Sequence, residues 1–170
     1  HHASSAASDV YKRQREYLHT LRITGGEPLM SKPTFKLLED LRDNPTPDLE
    51  LSINTNGNAP AKNWKRFLDL IIDICHNNKV KKFTLFTSAE AFGERSEYSR
   101  YGMDFELFQQ QTQEFLEKTH NTRVVFMCAF NIFSITSFKE FLEWVLYLKK
   151  AYNFNGLSDW MEGIGLDPVN

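Results

Sequence analysis

The stretch "LRITGGEPLMSKPTF", residues 21–35, joins a short apolar run to the start of an amphipathic one through two glycines, a glutamate and a proline. Two glycines after a strand allow positive φ angles, and they let a ligand approach the backbone because no Cβ stands in the way. Proline fixes its own φ and keeps the preceding residue extended. Gly25, Gly26, Glu27 and Pro28 therefore predict either a purely structural strand-to-helix turn, with Glu27 solvated, or a turn that binds a ligand.

Beyond this stretch, short apolar runs alternate with longer amphipathic ones, which predicts an α/β fold with parallel strands joined by crossover helices. The predicted strands are Leu21–Thr24, Leu49–Asn54, Lys82–Ser88, Arg123–Asn131 and, on a weaker pattern, Gly163–Val169. Apolar residues at steps of three or four predict helices over Phe35–Leu41, Trp64–Cys75, Phe105–Leu116 and Phe138–Leu148. The segment Asn44–Asp48, "NPTPD", predicts a loop.

Two architectures fit this order, an open doubly wound sheet and a barrel or part of one. In both, ligands bind at the carboxyl ends of the strands. The segments that follow the predicted strands are Gly25–Pro28, Thr55–Asn58, Ala89–Arg100 and Ile132–Ser134. Polar and glycine-rich residues therefore gather on one rim of the predicted sheet, and this rim is the candidate ligand site.

The amino-acid composition limits the classes of protein to which the chain can belong. The chain has 170 residues and 41% hydrophobic content, which suits one folded domain. Its 20 basic and 22 acidic residues give a net charge of -2 without a long basic run, so no DNA-binding signal is present. Apolar stretches are shorter than the roughly 18 residues of a membrane span. With no signal peptide, we expect a soluble cytoplasmic protein.

The first fourteen residues, "HHASSAASDVYKRQ", have neither the periodicity nor the apolar density of the rest. Asp9–Gln14 resembles the in-frame translation of a transposon end used as a sequencing adapter, so we expect residues 1–14 to be a non-native, disordered leader. The alternative is a flexible polar tail. In both cases residues 1–14 are not expected to belong to the folded domain, which is expected over residues 15–170.

The sequence around Gly25–Pro28 is a more specific signal than these four residues alone. "LRITGGEPLM" resembles the second strand and turn of the radical S-adenosylmethionine (radical SAM) superfamily, where Gly-Gly-Glu-Pro receives the amino group of the methionine moiety. The resemblance implies a partial (β/α)6 TIM-like barrel of parallel strands. Because the turn follows the first strand found here, it also implies that the first βα unit is missing.

Two further rim segments fit the same resemblance. Asn54, Thr55 and Asn56 in "INTNG" look like the Thr-Asn-Gly that closes the third strand in many members. The alternative is a plain strand-ending turn with Gly57 at positive φ. Asn131 resembles the polar residue that closes the fifth strand near the adenine or ribose, while on its own such a residue is more often a helix or turn cap.

The segment "SAEAFGERSEYSR" resembles the family pattern of a serine and an acid that contact ribose, followed by an arginine that meets the cofactor's carboxylate. Ser88, Glu90 and Arg100 take these roles, and Arg95 competes for the last. These residue types suit the chemistry, because a carboxylate accepts hydrogen bonds from hydroxyl groups and a guanidinium group forms bidentate hydrogen bonds with a carboxylate. The alternative is a charged loop with ion pairs of little energetic value.

The family's chemistry belongs to a 4Fe-4S cluster held by Cys-x-x-x-Cys-x-x-Cys, and this sequence has no such motif. Cys75 falls on a helical apolar stripe and Cys128 in a strand, so both are expected to be core residues. Two distant cysteines cannot ligate a cluster. No residue is therefore assigned as catalytic or as a metal ligand.

We interpret the chain as an inactive fragment of a radical SAM enzyme, truncated at both ends, rather than a degenerate member that lost its cluster. The complete enzyme would use an electron donor to cleave S-adenosylmethionine. The family resemblance is also compatible with a C-terminal twitch or SPASM extension. The resulting 5'-deoxyadenosyl radical would act on an unknown substrate, a peptide or a small molecule. The alternative from a different class is a cluster-free α/β module that binds a nucleotide-like ligand.

Overall fold

The computed structural model describes residues 17–152 and, by backbone alone, residues 164–168. Strands alternate with helices along these ranges. The strands are β1 (Thr20–Ile23), β2 (Thr46–Thr55), β3 (Val80–Ser88), β4 (Thr122–Cys128) and β5 (Ile164–Pro168). The helices are α1 (Lys32–Asp43), α2 (Ala61–His76), α3 (Glu94–Ser99), α4 (Phe105–Lys118) and α5 (Phe138–Tyr152), and a 3-10 turn (Pro28–Met30) precedes α1.

The strands lie in the sheet in the order in which they occur along the chain, from β1 to β5. β1 and β2 pair in parallel with Leu21 opposite Leu51, and β4 and β5 pair in parallel with Val124 opposite Ile164. The predicted α/β class with parallel strands alternating with helices is therefore confirmed. Among the described strands the order never reverses, whereas a doubly wound sheet is built around such a reversal.

Element bounds differ from the predictions at strand ends. The predicted loop over Asn44–Asp48 is wrong from Thr46 onward, because β2 begins there and the Thr46 amide donates to the Lys79 carbonyl at 2.8 Å. Pro47 is exposed and lacks an N–H, which a strand tolerates near its start. β4 ends at Cys128, three residues before the predicted end.

The chain divides into two compact units. The described residues of unit 1 are 17–54, 59–84 and 119–122, and those of unit 2 are 55–58, 85–118 and 123–152 together with β5. Each unit has its own buried residues, and each is described separately below. None of the described helices has the length and apolarity to cross a membrane.

The core of unit 1 forms where the apolar stripe of α2 meets the sheet. Phe67 is fully buried, and its ring lies 5.4 Å from that of Trp64 and 6.2 Å from that of Phe83 on β3. On β2, Leu49, Leu51 and Ile53 are buried while Glu50 is exposed, and Ser52 on the same side as Glu50 is also buried. The stripe predicted for α2 is thus the face that packs against the sheet.

The core of unit 2 is a cluster of aromatic rings around Trp144 of α5. Its ring centroid lies 5.5 Å from Phe126 of β4 and 5.8 Å from Phe108 of α4. Phe105 and Phe141 each lie 6.0 Å away. Tilted and edge-on arrangements such as these add to the stabilisation from burial. The cluster therefore fixes α4 and α5 against β4.

Both cysteines are free and buried, as predicted for core residues. Burial raises the pKa of the Cys75 thiol to about 12, because a thiolate would lose its solvation there. The thiol therefore stays protonated in the folded protein at neutral pH, and it is a poor nucleophile.

We predict that Cys75 resists alkylation by iodoacetamide at pH 8 until the protein unfolds, when it reacts at least a hundredfold faster. Mass spectrometry of the Cys75 peptide measures the rates with and without denaturant. Stability should also fall as pH rises above about 9, because the unfolded thiol ionises there and the folded one does not. Rapid labelling of Cys75 in the native protein would contradict its core position.

Candidate functional site

The Gly-Gly-Glu-Pro turn follows β1 in unit 1. Gly25 has φ +93° and Gly26 has φ +55°, and both are exposed. A Cβ built on either glycine would meet no atom within 4 Å. The turn therefore needs glycine for its backbone angles, and the space beside both residues is open to a ligand.

Glu27 and Pro28 close the turn. Glu27 is half-buried and caps the 3-10 turn, since its Oε1 accepts a hydrogen bond from the Leu29 amide at 3.1 Å. Pro28 and Leu29 are buried, and the Leu29 carbonyl accepts from Asn63 Nδ2 at 2.7 Å. A cap of this kind is what a purely structural strand-to-helix turn requires, although Glu27 is half-buried and not fully solvated. Asn63 belongs to the first turn of α2, and no sequence motif identified it.

Asn54 lies near the end of β2 in the same unit. Its Oδ1 accepts a hydrogen bond from Arg22 Nε at 2.9 Å. Arg22 stands opposite Ser52 in the β1–β2 register and three residues before Gly25. Unit 1 therefore brings Asn54 into contact with the strand that leads into the Gly-Gly-Glu-Pro turn.

The segment Thr55–Asn58 in unit 2 starts at the last residue of β2 and is a turn closed by its own side chains. Thr55 Oγ1 accepts from the Gly57 amide at 3.2 Å, and Asn56 Oδ1 accepts from the Asn58 amide at 2.9 Å. Gly57 has φ +71°, as the strand-ending alternative predicted. A Cβ on Gly57 would lie 2.5 Å from Phe108 Cδ2, so the turn packs tightly on the aromatic cluster.

The acidic and basic residues predicted after β3 form an ion pair in unit 2. Glu90 Oε2 accepts from Arg100 Nη2 at 2.5 Å, with the two side chains 4% and 30% exposed. Arg100 Nε is also buried and has no hydrogen-bond partner in the described structure. Ser88 is half-buried at the end of β3, and Arg95 is exposed on α3. The predicted charged loop is wrong in part, because Glu94–Ser99 forms α3.

Asn131 lies in an exposed turn after β4, also in unit 2. Its Oδ1 accepts from the Phe133 amide at 2.8 Å, and its Nδ2 donates to the Ala129 carbonyl at 3.0 Å. These local bonds match the turn-cap alternative. The neighbouring side chains are large and apolar and are between 49% and 75% exposed: Phe130, Ile132, Phe133 and Ile135.

The predicted site residues fall into local groups. In unit 1 these are the turn Gly25, Gly26, Glu27 and Pro28, together with Asn54; in unit 2 they are Thr55, Asn56, Ser88, Glu90, Arg100 and Asn131. Among them, Glu90 and Arg100 are joined by a direct side-chain hydrogen bond. No group of three potential metal-ligating side chains occurs in the part of the chain that the structure describes.

A 4Fe-4S cluster does not fit the described donor set. Cys75 is buried on α2 in unit 1 and Cys128 is buried on β4 in unit 2, where its thiol donates to the Ala89 carbonyl at 3.0 Å. Cluster ligation requires several thiolates, and these two cysteines serve as core residues.

A comparison with models of known protein families gave no match, and no curated protein matches the chain. Among the described residues, the open Gly-Gly-Glu-Pro turn and the Glu90–Arg100 pair carry backbone and side-chain groups that are suited to binding a ligand.

We predict that Gly57→Ala lowers the free energy of unfolding far more than Gly102→Ala does. Both glycines have positive φ, but a Cβ on Gly102 meets nothing within 4 Å. Gly102→Ala should cost about 1 kcal/mol from backbone strain alone, and Gly57→Ala roughly 2–5 kcal/mol because it also clashes with Phe108. Urea denaturation measures both, and equal losses would refute the tight packing.

Removing one partner of the Glu90–Arg100 pair should be more harmful than removing both charges. Arg100→Gln leaves a buried carboxylate unpaired and should cost about 2–4 kcal/mol. The double variant Glu90→Gln/Arg100→Gln should be more stable than Arg100→Gln, while Arg95→Gln should lie within about 0.5 kcal/mol of the wild type. Thermal unfolding of the four proteins checks the order, and a double variant less stable than Arg100→Gln would contradict it.

Proposed function

We propose that the described residues form the S-adenosylmethionine-binding part of a radical SAM core domain. The observation that carries this proposal is the turn after β1, where two exposed glycines at positive φ leave the backbone of Gly25 and Gly26 open. Backbone carbonyls in such a turn are suitable acceptors for the ammonium group of an amino acid. Glu27 caps the turn from within and so holds its shape.

The Glu90–Arg100 pair supports the same ligand. A carboxylate accepts hydrogen bonds from ribose hydroxyls, and a guanidinium binds the carboxylate of the methionine moiety. Arg100 reaches Glu90 through Nη2, so one of its five donors holds the pair while Nε remains buried without a partner. Arg100 therefore has the chemistry to bind Glu90 and a second carboxylate together. Arg95, exposed on α3, has no comparable support.

For the fold we propose part of a (β/α)6 barrel. The strand order follows the chain order without a reversal. Right-handed crossovers that all step in one direction leave every connecting helix on one face of a sheet, which is the arrangement of a barrel wall. The Gly-Gly-Glu-Pro turn and Asn54 would then belong to the ligand-binding rim of that wall.

In this proposal the chain's own residues bind and orient S-adenosylmethionine, and the cofactors supply the difficult chemistry. A complete enzyme of this class uses a 4Fe-4S cluster to generate a 5'-deoxyadenosyl radical from S-adenosylmethionine. The described residues do not fit that cluster, so Glu27, Ser88, Glu90 and Arg100 are proposed as binding residues and not as acid-base catalysts. A reducing, cytoplasmic setting accords with two free cysteines.

Saturation-transfer NMR of the full chain with S-adenosylmethionine tests the proposal. We expect weak binding, with a Kd on the order of 1 mM, equivalent to about -4 kcal/mol, and the strongest transfer to the ribose and methionine Cα protons. The variant Glu90→Gln/Arg100→Gln should lose at least fivefold in affinity, and Arg95→Gln should not.

Circular dichroism of each variant confirms that it is folded before binding is compared. Absence of binding to the wild type, or equal binding by the double variant and the wild type, would overturn the site. If ATP binds as tightly as S-adenosylmethionine, the cluster-free nucleotide-binding module becomes the better interpretation.

A further inference from the structure

The loop that carries Glu90 is held at both ends by side chains from much later in the chain. Directly before Glu90, the Ala89 carbonyl accepts a hydrogen bond from Cys128 Sγ at 3.0 Å. Two residues after Glu90, the Phe92 amide donates to Ser137 Oγ at 3.1 Å. The backbone on either side of Glu90 is therefore fixed by β4 and by the turn before α5.

These anchors are buried. Ala89 is fully buried, and Cys128 and Ser137 are 8% and 9% exposed. The ring of Phe92 also packs edge-on against Phe105, with centroids 4.8 Å apart. The thiol is a weak donor, but its bond is buried and therefore competes little with water, while the bond from Phe92 to Ser137 is part-buried. Together with the ring contact, the two bonds restrain the loop on both sides of Glu90.

The position of this loop decides whether Glu90 meets Arg100. The Glu90 side chain is 4% exposed, and its bond to Arg100 Nη2 is 2.5 Å long, so the carboxylate has little room for other rotamers. A shift of the loop by one ångström would lengthen that bond beyond good charge-assisted geometry. The anchors therefore act on the ion pair through the backbone of the loop.

We infer that Cys128 and Ser137 are positioning residues, which hold Glu90 so that it orients Arg100 for an incoming carboxylate. Cys128 acts as a protonated hydrogen-bond donor in this role. The ligand part of the inference rests on the proposed function, whereas the orientation of Arg100 does not.

Two measurements on the full chain separate these parts. The first, which needs no ligand, is the hydrogen-exchange rate of the Arg100 Nε–H followed by 15N NMR. We expect Cys128→Ala and Ser137→Ala to speed this exchange at least tenfold relative to core amides of α4. Cys128→Ser retains a donor and should remain within about threefold of the wild type. Cys75→Ala, which removes the other buried thiol, should leave the exchange unchanged.

The second measurement is the affinity for S-adenosylmethionine, where Cys128→Ala should lose at least fivefold and Cys128→Ser should recover most of the loss. Unchanged Arg100 exchange, or a rise only in proportion to that of the α4 amides, would overturn the positioning role, since a purely structural residue behaves in that way. If the wild type binds no S-adenosylmethionine but Arg100 exchange responds as expected, the proposed function fails and the positioning role stands.

Discussion

Two parallel strands cannot be joined by a tight turn, and this constraint shapes every connection that the structure describes. Each strand from β1 to β4 is followed by a helix before the next strand begins. Every crossover leaves from the carboxyl end of a strand, and Gly25, Gly57 and Glu90 occur in segments where the chain changes direction. Strands and helices supply the two cores, which are organised around Phe67 and Trp144.

The regular elements were predictable because their signals are local. An apolar stripe such as that over Trp64–Cys75 predicts which face of a single helix is buried. The alternation of short apolar segments with amphipathic helical ones predicts a fold with parallel strands. The errors occur where a distant residue decides the structure. Thr46 joins β2 with its amide donating to the carbonyl of Lys79, which lies 33 residues later in the chain. The short helix α3 likewise has no apolar stripe long enough to predict it.

The candidate site shows the same division. Residue types after each strand were visible in the sequence, and the positive φ of Gly25 and Gly57 follows from glycine itself. The hydrogen-bond partners of these residues could not be predicted, because a bond such as that between Cys128 and Ala89 joins residues that are 39 positions apart in the chain. Glu27 was assigned only as solvated or ligand-facing, although its carboxylate caps the next turn. A side chain can thus stabilise the shape of a site and still leave the backbone to bind.

The contact between Gly57 and Phe108 has an evolutionary consequence. A Cβ at position 57 would collide with the Phe108 ring, so the residue allowed in the turn depends on the size of a side chain in α4. A smaller residue at 108 would open room for asparagine at 57, since asparagine tolerates positive φ better than most residues. The two positions should therefore vary together among homologous sequences, with glycine retained wherever a large aromatic ring occupies the helix.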